Sequence, residues 1–380
     1  MINKISLIFP YIFFVLIMSI TLLNQRQNIV VYPASILIIF SLFIFIRSKN
    51  YTFKNTIVIK STLLYVFILF SIINHPINVW YENIILSISP LVIFQTAFYF
   101  FNKYELINSL IKFVIIIAIF ASYKVYFVTE LLVNNYSNSL QTNWGNVLGA
   151  CLPVVFLIKQ KKMQLLVLIL FGIFIIIGLK RTAILSFIIT SVIFTFFRIR
   201  DNKLNFNLFY SLIVLSMSLA VFSYINIDNS KLEFASNRMS NVVNDGGSGR
   251  GEIYSQGFNT WLEKVPFHNK IFGYGYNGYS NHSNTKYGSA HNDFIDFLYD
   301  YGFFSAFLLL YMYLHLIYIS IKLFQLKSTF FLFVFATTLI FLVYSFFAAA
   351  YHYFFFFSPL ILFISLSESF YFKSIKKKYF

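Results

Sequence analysis

Apolar stretches close to the length of a hydrocarbon core, about 20 residues each, recur along the chain between short polar turns. They fall at 5–23, 29–46, 57–73, 84–101, 111–129, 145–158, 164–179, 182–197, 208–225, 303–321, 329–349 and 353–371. A backbone exposed to lipid must satisfy its own hydrogen bonds, so each stretch is expected to be a helix. The pattern predicts an all-α integral membrane protein of about twelve spans. Two spans are marginal: 145–158 is short, and 111–129 carries Lys124. One segment breaks the rhythm, because hydropathy collapses between Ile225 and Gly302. The expected organisation is a bundle of about nine helices over 1–225, a polar loop with short helices over 226–302, and the last spans with a basic tail over 303–380.

Charge orients this arrangement. Arg47, Lys49 and Lys54, then Lys103, then Lys159, Lys161 and Lys162 lie in alternate loops. The series continues with Arg198, Arg200 and Lys203, then Lys322 and Lys327, then Lys373, Lys376, Lys377 and Lys378. An even number of spans puts all of these on one side, which the positive-inside rule makes the cytoplasm. Both termini are then cytoplasmic and the long loop faces away. Charged residues make up 11% of the chain and hydrophobic ones 59%, against about a quarter charged in soluble domains. Too few charges remain to coat a water-facing surface, so membrane lipids are the expected surroundings. The net charge of +16 is dispersed between apolar runs rather than gathered in a patch, which argues against a nucleic-acid partner. The lone Cys151 has no disulfide partner and no metal-ligand spacing. The first apolar run resembles a signal peptide but lacks a small-residue cleavage site, and reads as an uncleaved span.

The far-side loop holds most of the candidate chemistry. Asp245-Gly-Gly-Ser-Gly is a flexible turn. A helix is expected from about Arg250 to Lys264, with Ile253, Tyr254, Gly257, Phe258, Trp261 and Leu262 on one stripe and Pro266 at its end. Trp261 suits a helix lying on the membrane surface. Phe272-Gly-Tyr-Gly-Tyr-Asn-Gly is a bend where backbone can approach a ligand closely. Ala290-His-Asn-Asp opens a short helix. Arg250 in a first helical turn is disfavoured by the dipole unless an anion binds there, and otherwise reads as a solvated loop arginine. Arg181, in Gly178-Leu-Lys-Arg-Thr-Ala at a span boundary, is either a substrate contact or an arginine snorkelling to the interface. His291 can take a proton from a hydroxyl near neutral pH, or is a polar surface residue. Asp293, Asp296 and Asp300 read first as helix-start and solvated residues, and second as orienters of His291. His282 and His291 make no zinc motif, and no metal is expected.

Four elements in this order, Leu179-Lys-Arg-Thr-Ala-Ile-Leu, Gly249-Arg250 with its helix to Pro266, Phe272-Gly-Tyr-Gly, and Ala290-His-Asn-Asp-Phe-Ile-Asp-Phe-Leu-Tyr-Asp-Tyr-Gly, together resemble the O-antigen polymerase and O-antigen ligase superfamily of bacterial surface-polysaccharide enzymes. The resemblance covers mainly 140–305. It implies a GT-C-like membrane fold with one large periplasmic loop, in the bacterial inner membrane. It also implies glycosyl transfer without a metal or other cofactor, from a glycan carried on undecaprenyl diphosphate, in lipopolysaccharide biosynthesis. By matching position, Arg181 and Arg250 would bind the diphosphate and His291 would be the base. Lys180, Arg238, Tyr274 and Asn292 are the accompanying candidate substrate contacts, and a chain-length regulator protein is a candidate partner. The expected activity is polymerase, with Phe272-Gly-Tyr-Gly in a compact loop favouring it. A ligase acting on lipid A core is the alternative. A transporter or flippase of the lipid-linked glycan is the alternative of another class, which would place its charges near the bilayer midplane.

Overall fold

The computed structural model describes residues 2–22, 27–47, 64, 68, 80–134, 143–178, 180–200, 250–283, 289–351 and 353–379. Every regular element among them is helical. In chain order these are α1 (Ile2–Leu22), α2 (Gln27–Arg47), α3 (Trp80–Lys103), α4 (Ile107–Asn134), α5 (Trp144–Cys151), α6 (Lys161–Ile177) and α7 (Arg181–Arg200). Then come α8 (Arg250–Lys264), α9 (Phe267–Phe272), α10 (Gly278–His282), α11 (Asp293–Asp300), α12 (Gly302–Gln325), α13 (Phe331–Phe347) and α14 (Phe354–Tyr379). Ile85–Lys103, Ile107–Tyr126 and Gly302–Gln325 are long and apolar enough to cross a membrane, and several shorter helices are similarly apolar. This is the composition of a membrane protein, whose backbone is saturated within each helix. The expected span 57–73, apart from residues 64 and 68, the expected span 208–225 and the candidate Arg238 lie outside the described residues.

The expected span 145–158 falls on the short apolar helical stretch Trp144–Leu157. Over 145–158 the chain forms the eight-residue α5 and then a six-residue 3-10 segment, Leu152–Leu157. Pro153 stands at the start of that segment. Its missing N–H and fixed φ end the α-helix there. All of α5 is buried.

The described chain forms two compact units. The first comprises 1–106, 250–326 and 344–380, and the second 107–249 and 327–343. In the first, α3 packs on α2 and α14, and α1 on α2 and α14. Lipid tails are as apolar as leucine, so helix contacts rely on close packing and on hydrogen bonds. The Thr21 and Ser358 hydroxyls meet at 2.6 Å, Thr96 donates to Ser41 at 2.8 Å, and Ser365 donates to Phe94 O at 3.1 Å. The outward faces stay apolar, as at Val15 and Ile39. In the second unit α5 packs against α4, α6 and α7, and Thr182 Oγ1 donates to Asn146 Oδ1 at 2.8 Å.

The loop segment from Arg250 to Tyr301 belongs to the first unit and has its own core of Ile253, Trp261, Val265, Tyr279, Ala290, Ile295 and Tyr299. It joins α12 at Gly302, where φ is +80° and a Cβ would strike Ile271 O. Only glycine can make that turn without strain.

Candidate functional site

The loop's framework starts from α8. Ile253, Gly257 and Trp261 recur every fourth residue and face the loop core. Gly257 has no side chain because Tyr279 lies against it: a Cβ there would come within 2.9 Å of that ring. Tyr299 Oη donates to Gly257 O at 2.8 Å. Trp261 is buried, and its indole N–H donates to Leu298 O at 3.2 Å. This overturns the expectation that Trp261 lies on a membrane surface. Its bulk and its donor are both satisfied inside the loop, while Phe258 and Leu262 of the same stripe point outward.

The glycine-rich bend is also corrected. Its close backbone approach is to the protein itself. Tyr274 N donates to Tyr299 O at 2.7 Å and Gly275 N to Asp300 O at 2.6 Å. Gly273 has φ +74°, and a Cβ on it would collide with Asp300 O and Tyr301 N. The bend therefore caps the last carbonyls of α11, groups that a helix end leaves unsatisfied. Tyr274 stacks its ring on His282, with centroids 3.8 Å apart.

His291 sits just before α11 with φ +54°. A left-handed conformation costs a non-glycine residue on the order of 1–3 kcal/mol and persists where the surroundings enforce it. Here His291 N donates to Ser289 Oγ at 2.9 Å, and Ser289 Oγ donates to Asp296 Oδ2 at 2.8 Å. Ala290 N donates to Asp296 Oδ1, also at 2.8 Å. One carboxylate of α11 thus holds the two residues that lead into His291. Asn292 Oδ1 accepts from Phe294 N at 3.0 Å and Ile295 N at 3.3 Å, an N-cap for α11.

Asp293, Asp296 and Asp300 are not solvated. None is more than 1% exposed. They stand at i, i+3 and i+7, the face of α11 that turns into the protein. A buried carboxylate needs donors, and each has them. Asp293 receives Tyr351 N at 3.0 and 3.1 Å on its two oxygens and Tyr313 Oη at 3.3 Å. Asp300 accepts Tyr279 N at 3.3 Å.

Tyr254 ties the two halves of the loop. One turn along α8 from Arg250, it donates from Oη to Phe346 O at 2.6 Å, with Asn292 close by. Burial pushes its phenol pKa up, although Arg250 and Asn292 pull it down, so the hydroxyl stays neutral and donating. Arg250 has its guanidinium 6.0 Å from the centre of the Phe347 ring, and the His291 and Tyr353 rings are 6.3 Å apart. Arg250, Tyr254, Asn292 and His291 all belong to the loop of the first unit. Such a set can bind an anion at the guanidinium and the helix start, and accept a proton at the imidazole.

Lys180 and Arg181 belong to the second unit. Arg181 opens α7, the Lys180 stem packs near Gly145, and Thr182 anchors the helix start to Asn146. Of the remaining candidates, Arg250, Tyr274, His291 and Asn292 share the loop of the first unit. Sequence reasoning missed Ser289 and Tyr254 as a donor; for Asp296 its second reading, an orienter of His291, fits the turn. The Ser289-X-His291 spacing, which suits a hydroxyl accepting from the amide two residues on, was the available signal.

Residues 166–310 match a family model described as O-antigen ligase. The matched stretch includes Arg181, Arg250 and His291. Members of that family are glycosyltransferase-like enzymes. No curated protein matches the chain.

Proposed function

We propose, for a chain whose residues 166–310 match a family model described as O-antigen ligase, that it is a polymerase joining oligosaccharide repeat units carried on undecaprenyl diphosphate. Its expected setting is the bacterial inner membrane, with about twelve spans, cytoplasmic termini and the loop at the periplasmic face. The observation that carries the reading is the left-handed His291, held by Ser289 and Asp296, in the same loop as Arg250 and within the matched stretch. His291 accepts the proton of the acceptor hydroxyl as its oxygen attacks the anomeric carbon of the donor glycan. The bond from that carbon to the diphosphate breaks, and the electron pair leaves on the lipid diphosphate. Arg250 and Arg181 offset the charge that develops there, which is where preorganised cations contribute most. Arg238, Lys180, Tyr274 and Asn292 are the proposed further substrate contacts. Guanidinium groups take the part a divalent ion has in other diphosphate chemistry.

A ligase is the second reading, favoured by the description of the family model. Deleting the gene in its host separates the two. Loss of long chains with one repeat still on the lipid core means polymerase, and loss of every attached repeat means ligase. A transporter would move the lipid-linked glycan without altering its length, so unchanged product length with purified protein would refute both.

A further inference from the structure

Glu368 lies in the middle of α14 and is 0% exposed, and His315 lies in α12 and is 9% exposed. Both belong to the first unit. His315 Nε2 stands 2.8 Å from Glu368 Oε1, at ion-pair distance without completing a hydrogen bond of good geometry. Among the described residues no other donor reaches either carboxylate oxygen, and neither residue has another ionic partner. The surrounding titratable side chains are aromatic. Tyr311 and Tyr318 of α12 and Tyr371 of α14 have ring centroids 6.3, 6.1 and 6.4 Å from the imidazole. Two lysines of the same helices have other contacts: Lys322 lies over the Tyr318 ring and meets Gln325, and Lys373 donates to Phe101 O. From α3, Asn102 meets Ser369 by hydrogen bond and brings no charge.

A lone carboxylate in such a place is costly, and removing one partner of a buried pair leaves an uncompensated charge. Ionisable residues within membrane helices are rare and tend to mark proton or ion sites. Carboxylate facing neutral imidazole carries net −1. One proton added to the pair, on either group, brings it to zero, the charge that a low dielectric favours. We propose that His315 and Glu368 form a proton-binding site in the helix bundle, holding one exchangeable proton. The proton comes from water and enters through the imidazole edge, since the carboxylate has no exposed surface. Its arrival cancels the charge at the contact between α12 and α14, two helices that pack on each other. Because α12 follows α11 directly through Gly302, the site lies on the helix that leads away from the His291 turn. It stands independently of the proposed glycosyl transfer.

The test is pH-difference infrared spectroscopy of the full chain in lipid nanodiscs, comparing wild type with Glu368→Gln and His315→Gln. The expected result is a titrating carboxyl or imidazole signal in wild type, equal to one group per chain and lost from both variants. Identical difference spectra for all three proteins would overturn the proposal. If a variant fails to fold, wild type carrying 13C-labelled glutamate decides. A labelled carboxyl band that titrates apart from the exposed glutamates supports the site, and a single ordinary glutamate population refutes it.

Discussion

Replacing Asp296 with Asn tests whether the His291 turn is held in tension for catalysis. The carboxylate accepts from Ala290 N and from Ser289 Oγ, both at 2.8 Å, and Ser289 in turn accepts the His291 amide. An asparagine keeps one acceptor and turns an NH2 group towards the other donor. The loss of one hydrogen bond to a charged group is about 1.5–3 kcal/mol. That matches the on the order of 1–3 kcal/mol stored in a left-handed non-glycine residue, so the clamp and the strain are of comparable size. At about 1.4 kcal/mol per factor of ten, kcat should fall roughly ten- to a hundredfold. The assay is glycan polymerisation by purified protein in nanodiscs, with product length read on a gel and donor KM measured alongside. Donor KM should stay near wild type, because Arg250 is untouched. A folded Asp296→Asn protein with wild-type kcat would show that the turn needs no clamp. An equal loss from KM alone would assign Asp296 to binding instead.

Other perturbations separate the remaining roles. His291→Ala should lower turnover by about 10²–10⁴, and purified mutant that polymerises at the normal rate would remove His291 as the base. Arg250→Lys should be severe, since a point charge cannot replace a planar fork on a diphosphate; wild-type activity in this mutant would take Arg250 out of the site. Gly273→Ala must place a Cβ against Asp300 O at φ +74°, so a loss of about 1–3 kcal/mol is expected, read as a lower melting temperature, and an unchanged Tm would contradict the packing of the bend. EDTA should leave turnover unaltered, and inhibition reversed by a divalent cation would overturn the metal-free reading.

The helical, apolar character of this protein was legible in the sequence. The apolar runs predicted helices, and α1, α2, α3 and α12 follow those runs closely. The loop helix from Arg250 to Lys264 was equally plain, because a period near four in Ile253, Gly257 and Trp261 and the stop at Pro266 are local signals. What Trp261 and Gly273 face was not local. Each meets a segment tens of residues away, so a tryptophan suited to a membrane surface became a core residue and a ligand-binding bend became a helix cap. The aspartates of α11 show the same divide. Their spacing declared a shared face, but whether that face met water depended on Tyr351, Tyr313 and Ser289 arriving from elsewhere in the chain. Nothing in the sequence pattern singled out His315 and Glu368, which lie far apart along the chain, and only packing of α12 on α14 made them a pair. Hydropathy and periodicity act through neighbours along the backbone, and so composition alone determined apolar helix and loop. Burial, strain at His291 and the joining of distant polar groups are pairwise contacts across the fold, which only the tertiary structure could decide.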